Sequence, residues 1–429
     1  MTTTLISGGR VICPSQNIDQ QANLLISNGQ IVGLTEANSA ADHVIDATGQ
    51  IVCPGFIDTH VALREPGYEE DETTETATAA ALAGGYTSIA AMPDTLPVVD
   101  NQAAAEFIIL QAKRARKCHV FPLGAITAEH AGTDLAEIGQ LVEGGALAFT
   151  DGKRPLANAE VMRRALEYTK MFDKPVFNFP TVPEMSAGGV MHEGYYSTLL
   201  GLQGIPAAAQ DIMVARDLAL AEMTGGRIHL MCLSTTDSID RIRRAKERGV
   251  RVTGEVTPHH LAFTDERLTT FDPNCKVAPP LRPQDHIDSL IAGLKDGTID
   301  VIASDHQPYS NERKCGEIDL SPPGIVGLET ALPICINTLI EPNHLTWPQL
   351  IAKLTMGPAQ VLGIDRGTLS PGVQADVTIF DPNAEWTIDA EKFKSKSRNT
   401  PFHGWVVRGR VNTVIVKGET RFDNTTSGQ

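Results

Sequence analysis

The spacing of apolar and polar positions changes twice along the chain. Over residues 1–52, short apolar runs separated by turn residues predict strands at 4–6, 10–13, 23–26, 30–34 and 43–46, with nothing helical over three turns. Asn28-Gly29, between two of these runs, predicts a tight hairpin because both residue types accept positive φ. From Gly55 onward the apolar runs become continuous, as strands covered on both faces require. They fall at 56–60, 87–92, 119–123, 146–150, 176–179, 228–233, 251–256 and 300–304. Helical periodicity lies between most of them, at 74–83, 103–115, 159–171, 207–223 and 236–248, and again at 325–339 and 347–354. After about residue 365 strands return, at 376–381, 405–407 and 413–416.

Eight buried strands alternating with helices predict an α/β chain closed into a (β/α)8 barrel, with an open doubly wound sheet as the competing arrangement. Strand-rich ends on either side can pair into a small β-sandwich built from both chain ends. The expected organisation is residues 1–52 as the N-terminal part of that sandwich, 53–364 as the barrel and 365–429 as the C-terminal part. Residues 424–429 are expected to fray.

Composition narrows the class. With 42% hydrophobic and 21% charged residues over 429 positions, the chain reads as a soluble globular protein. A net charge of −16 argues against a nucleic-acid partner. No apolar run reaches the roughly 18 residues needed to span a membrane, and the first residues lack the pattern of a secretory signal. Seven scattered cysteines without a Cys-x-x-Cys pair predict neither a disulfide framework nor a zinc finger, and fit a reducing cytoplasm.

Chemistry in such a barrel belongs at the carboxyl ends of the strands. Those ends carry His60, Asp94, Asp151-Gly152, Phe179, Cys232, Glu255 with His259-His260, and Asp305-His306. Residues 60, 62 and 64 share one face of a strand, so a histidine at 62 would make a chelate with His60. The residue there is Ala62, followed by Arg64. Cys232 reads either as a small buried thiol or, as thiolate, as a metal ligand beside His60 and Asp305. His259 and His260 are expected to pack and hydrogen-bond at a strand end. The charged run at 242–248 is expected to be a solvated helix face.

Several runs carry a family resemblance: Pro-Gly-Phe-Ile-Asp-Thr-His with Leu-Arg-Glu-Pro-Gly at 54–67, Thr-Pro-His-His-Leu at 257–261, Ala-Pro-Pro-Leu-Arg at 278–282, Asp-Val-Ile-Ala-Ser-Asp-His at 300–306 and Gly-Ile-Val-Gly-Leu-Glu-Thr at 324–330. Together they resemble dihydroorotase, within the amidohydrolase superfamily. The resemblance implies zinc held by a His-x-His pair on the first strand, a bridging acidic or carbamylated group after the fourth, histidines after the fifth and sixth, and an aspartate after the eighth that serves as base. His60 and Asp305 keep the family's identity. Ala62, Gly152, Phe179 and Cys232 replace the rest. Arg64 resembles the clamp for a substrate carboxylate, while Asp94, Ala278 and Tyr309 depart from the family's substrate shell.

A full structural zinc site contributes roughly 10–16 kcal/mol, about 3 kcal/mol per ligand, so these replacements predict weakened metal binding. The expectation is therefore a non-catalytic homologue without a cofactor, homo-oligomeric, and a structural or regulatory partner of aspartate transcarbamoylase in pyrimidine synthesis. The alternative is an active zinc-dependent dihydroorotase, converting carbamoyl aspartate to dihydroorotate, or a related cyclic amidohydrolase. That enzyme would rely on Asp305 for catalysis, Arg64 for substrate, and His60, Cys232 and Asp305 for metal.

Overall fold

The computed structural model describes residues 2–35 and 41–424. The chain opens with strands β1 (Thr3–Cys13), β2 (Ile18–Ser27), β3 (Gln30–Thr35), β4 (His43–Asp46) and β5 (Ile51–Pro54). The runs expected at 4–6 and 10–13 form one strand, β1, kept continuous across a bulge between Ile6 and Gly9. Asn28 and Gly29 have φ of 51° and 76°, so the hairpin between β2 and β3 forms where the dipeptide predicts it.

Strands β6 (Phe56–Val61), β7 (Tyr86–Ala91), β8 (His119–Pro122) and β9 (Val176–Asn178) follow. After the short outlying pair β10 (Met191–His192) and β11 (Gly204–Ile205) come β12 (Ile228–Leu230), β13 (Val252–Val256) and β14 (Val301–Ile302). All barrel pairings are parallel: β6-β7-β8 in one arc and β9-β12-β13-β14 in the other. The segment around Phe149 joins the arcs by bridging Gly124 and Val176, and Val61 bridges His306 to close the ring. The (β/α)8 barrel thus stands, with its fourth strand present only as single bridges.

The chain ends with β15 (Val377–Thr387), β16 (Val406–Val416) and β17 (Glu419–Asp423). They join the first strands in the order β17-β16-β15-β5-β1-β2-β3, with β4 paired to β1. The expected strands at 405–407 and 413–416 are both parts of β16, and β17 and β5 were not anticipated. β5 is hidden because only Gly55 separates it from β6. One apolar run therefore contains the switch from sandwich to barrel. A Cβ on Gly55 would lie 2.1 Å from Thr87 Oγ1, so only glycine permits that close passage. Phe56, just beyond it, joins the two layers, with ring centroids 5.8 Å from Tyr86 and 6.2 Å from Phe380.

The helix Thr74–Ala83 begins with a capping box in which Thr73 and Thr76 satisfy each other's backbone N–H groups. Trp347–Leu354 also falls where periodicity places it. The run at 325–339 is helical only from Ala331, and its last turn (Ile336–Ile340) widens to π geometry. The residues before it are held out of the helix by other backbone partners: Ile325 bridges His306, and the Val326 N–H donates to the Asn399 carbonyl. Gln284–Asp296 is a helix that was not anticipated. Asn424 donates its N–H to the Asn412 carbonyl, and the rest of the 424–429 segment expected to fray lies outside the described residues. Among the described residues no helix is long and apolar enough to cross a membrane.

Candidate active site at the barrel mouth

Three residues at strand ends leave their strands in left-handed backbone geometry: Arg64 (φ 63°), Cys232 (φ 49°) and Asp305 (φ 51°). Such a conformation costs a side-chain-bearing residue on the order of 1–3 kcal/mol and persists only where the surroundings hold it. Donor atoms of His60, Cys232 and Asp305 lie within 4.8 Å of one another, and all three side chains are buried. His60 Nδ1 faces Asp305 Oδ1 at 3.8 Å and makes no hydrogen bond of its own.

Beneath this cluster Glu255 ties the barrel together. Its Oε1 lies 2.5 Å from His60 Nε2, and its Oε2 accepts from Thr59 Oγ1 at 2.6 Å and pairs with His229 Nε2 at 3.0 Å. His229 belongs to this network through Glu255 and also reaches Thr253 with its Nδ1 at 2.8 Å. Burial works against charge on His60, yet Glu255 and Cys232 raise its pKa well above the usual histidine value. Burial likewise opposes ionisation of Glu255, but His60 and His229 hold its carboxyl well below the ordinary range.

Lys153 enters from the loop after the fourth strand. Its Nζ lies 2.7 Å from Asp305 Oδ1 and donates to Cys232 Sγ and the Ala278 carbonyl, each at 3.1 Å. It also stands 4.9 Å from the centre of the Phe179 ring. Against the effect of burial, Asp305 and Cys232 raise the lysine pKa. Burial and Asp305 push the Cys232 thiol up, while Lys153 and His60 partly offset them. Gly152 (φ +71°) leaves space, since an added Cβ would meet nothing closer than Met92 Cε at 3.5 Å. Ala62 is fully buried and donates its N–H to the His306 carbonyl.

Above the cluster lies a cavity of about 630 Å³ lined by Arg64, Asp94, Lys153, Arg154, Tyr309 and Arg313, among others. Arg64 stacks over Tyr309 and donates to Asp94 Oδ2, Gln307 Oε1 and the Pro308 carbonyl. It makes no ion pair with Glu65, whose carboxylate instead accepts from Thr74 and Gln111. Asp151 takes no part in the cluster: it accepts from the backbone of Ile126 and Thr127 and from the Thr127 hydroxyl.

His260 hydrogen-bonds Thr257 and the Pro279 carbonyl and packs at a strand end, whereas His259 reaches Thr257 and also brings its Nε2 to 3.9 Å from Asp305 Oδ2, at the border of the cluster. Burial, with His260, Lys153 and His60 nearby, holds the His259 pKa well below normal. The charged helix face pairs in register, Arg243 with Asp240 and Asp296, and Arg248 with Glu222. Sequence reasoning named no role for Lys153 or Glu255. The readable signal was a basic residue directly after a glycine at a strand end, and an acid inside a buried strand.

A parallel barrel with its polar cluster at the carboxyl mouth and a sheet built from both chain ends is the architecture of the amidohydrolases. The L-hydantoinase (dihydropyrimidinase) of Arthrobacter aurescens superposes with a TM-score of 0.88 over 98% of this chain and 96% of that one, at 24% identity. The dihydropyrimidinase of Brevibacillus agri NCHU1002 follows at 0.83, over 98% and 95% of the two chains and also at 24% identity. The amidohydrolase family profile matches residues 181–421, and the dihydro-orotase-like profile matches 49–238. Dihydroorotase of Syntrophus aciditrophicus is 45% identical over 96% of this chain and 98% of its own. That of Pelotomaculum thermopropionicum is 48% identical over 96% and 97%. The chain belongs to the dihydroorotase family.

This membership overturns the expectation of a non-catalytic partner for aspartate transcarbamoylase. The relatives match over nearly the whole chain at 45–48% identity and are dihydroorotases, and the chain stands among hydrolases of cyclic amides. The expectation of no cofactor lacks support for the same reason. Amidohydrolases typically depend on metal, and His60, Cys232 and Asp305 form a group able to hold one. The replaced ligands at positions 62, 152, 179 and 232 therefore do not amount to loss of the site. The three remaining donors, offered from sequence as the alternative site, are brought by the barrel to within 4.8 Å of one another.

Proposed function

We propose that the chain is a cyclic amide hydrolase of the dihydroorotase type, interconverting carbamoyl aspartate and dihydroorotate. The observation that carries this reading is near-full-length identity of 45–48% to dihydroorotases. The barrel-mouth cavity, about 630 Å³, has room for a small polar substrate, and Arg64 at its rim offers a guanidinium to a substrate carboxylate, although Asp94, Asp100, Glu129 and Asp151 line the same space.

Zinc fits the donor types present, since imidazole, thiolate and carboxylate are its ordinary ligands. His60 Nδ1, buried and without a hydrogen bond, turns into the cluster toward Asp305 Oδ1, which pairs with the Lys153 ammonium. His60, Cys232 and Asp305 would hold the ion, which when bound supplies Lewis acidity toward a carbonyl and toward water. The protein's own part is proton transfer and orientation. Asp305, 1% exposed, takes the proton of the attacking water and returns it to the departing ring nitrogen. Arg64 orients a substrate carboxylate, and the buried Phe179 keeps bulk water from one wall.

The test is dihydroorotase turnover, in both directions, by pure protein of known zinc content. Zinc-supplemented protein with no turnover above background would refute the reading.

A further inference from the structure

The ammonium of Lys153 and the donor atoms of the cluster compete for one small volume. Nζ lies 2.7 Å from Asp305 Oδ1 and 3.1 Å from Cys232 Sγ, two of the three atoms a metal would need. Zinc bonds oxygen at about 2.0–2.2 Å and sulfur at about 2.3 Å. An ion bonded to those same two atoms would sit within van der Waals contact of Nζ, and both species are cationic. As arranged, the ammonium has three partners: a carboxylate, a sulfur and the Ala278 carbonyl. That matches its three N–H donors.

The lysine also has somewhere to go. Its side chain keeps 23% of its surface exposed and lines the open cavity that holds Asp94 and Glu129. We propose that Lys153 and a divalent metal ion are mutually exclusive occupants of the His60/Cys232/Asp305 site, and that metal enters only when the lysine swings out into the cavity. The lysine then acts as a built-in stand-in for the ion, balancing the Asp305 carboxylate and capping Cys232 Sγ until metal arrives. The inference concerns occupancy alone, so it holds or fails whether or not the protein turns over dihydroorotate.

The experiment is calorimetric titration of wild-type protein and of Lys153→Met and Lys153→Arg with zinc. Cobalt(II) is titrated in parallel, because its thiolate absorption band reports bonding to Cys232. Lys153→Met is expected to bind at least tenfold more tightly than wild type, and Lys153→Arg no more tightly than wild type. The cobalt–thiolate band should be lost in Lys153→Met/Cys232→Ser. Equal affinity of wild type and Lys153→Met overturns the proposal. Wild-type protein supplies a second reading that needs no variant. Acylation of Lys153 by an amine reagent, followed by mass spectrometry, should rise severalfold at saturating zinc, and unchanged labelling of metal-loaded protein likewise overturns it.

Discussion

His60 Nε2 and Glu255 Oε1 stand 2.5 Å apart across the barrel, and neither side chain has any exposed surface. A buried pair of this kind is a poor source of net stability when intact, but removing one partner leaves an uncompensated charge. Glu255→Gln is therefore expected to destabilise the fold by about 3–5 kcal/mol. Urea unfolding of the variant beside wild type measures this directly, and a loss under about 1 kcal/mol would show that His60 carries no charge in the native state.

Asp305 is assigned the proton transfer and Cys232 a ligand position. Asp305→Asn keeps the shape but removes the base and a charged ligand together, so turnover should fall by at least about 10²–10⁴-fold, with a loss of zinc content reporting the ligand share. Cys232→Ser should reduce zinc content as well as turnover. Steady-state kinetics with metal analysis on the same preparations separates the two effects.

Asp94 competes for the guanidinium of Arg64, holding Nη1 at 3.0 Å. Asp94→Asn removes a negative charge beside a dianionic substrate and frees that donor. At an interaction of about 1 kcal/mol, KM for carbamoyl aspartate should fall about fivefold with little change in kcat. Arg64→Lys, which loses the planar fork and the stack on Tyr309, should shift KM in the opposite direction.

His260 offers a pH signature away from the cluster. Burial lowers its pKa to about 3, from an ordinary value of 6.5. Above pH 6.5 the imidazole is neutral both folded and unfolded, and it has no effect on the balance. As pH falls below 6.5 the unfolded chain binds a proton that the folded one refuses, so stability declines continuously toward pH 3. The decline amounts to about 2 kcal/mol by pH 5. Denaturation midpoints from pH 7 to 4.5 should show it, and His260→Gln should flatten the profile over that interval.

The barrel strands were legible because burial on both faces leaves continuous apolar runs, as at 228–233 and 300–304. The fourth strand was legible as well, although its pairing around Phe149 amounts to isolated bridges. The helix Gln284–Asp296 was missed despite a readable stripe, with Ile287, Leu290, Ile291 and Leu294 on one face. His60, Cys232 and Asp305 were proposed together from sequence and do converge. Lys153 and Glu255 acquire their importance only by being enclosed. A lysine after a glycine looks like a loop residue until the fold shows that its ammonium lies against Cys232, Asp305 and a backbone carbonyl. Inferring inactivity from lost ligands failed on a related point, since a site is defined by what meets in space.

The strand order β17-β16-β15-β5-β1-β2-β3 interleaves the first and last portions of the chain, and β5 runs through Gly55 straight into the strand bearing His60. During synthesis, the partner that flanks β5 on one side, β15, leaves the ribosome more than three hundred residues after it. The strand that carries the first site residue is thus among the earliest made and among the last to be clamped. A nascent chain that stops between Thr387 and Val406 has every barrel strand and β15 yet lacks β16 and β17, which brace β15 against β5. Assembly of the mouth is in this way tied to the arrival of β15 and the strands that flank it.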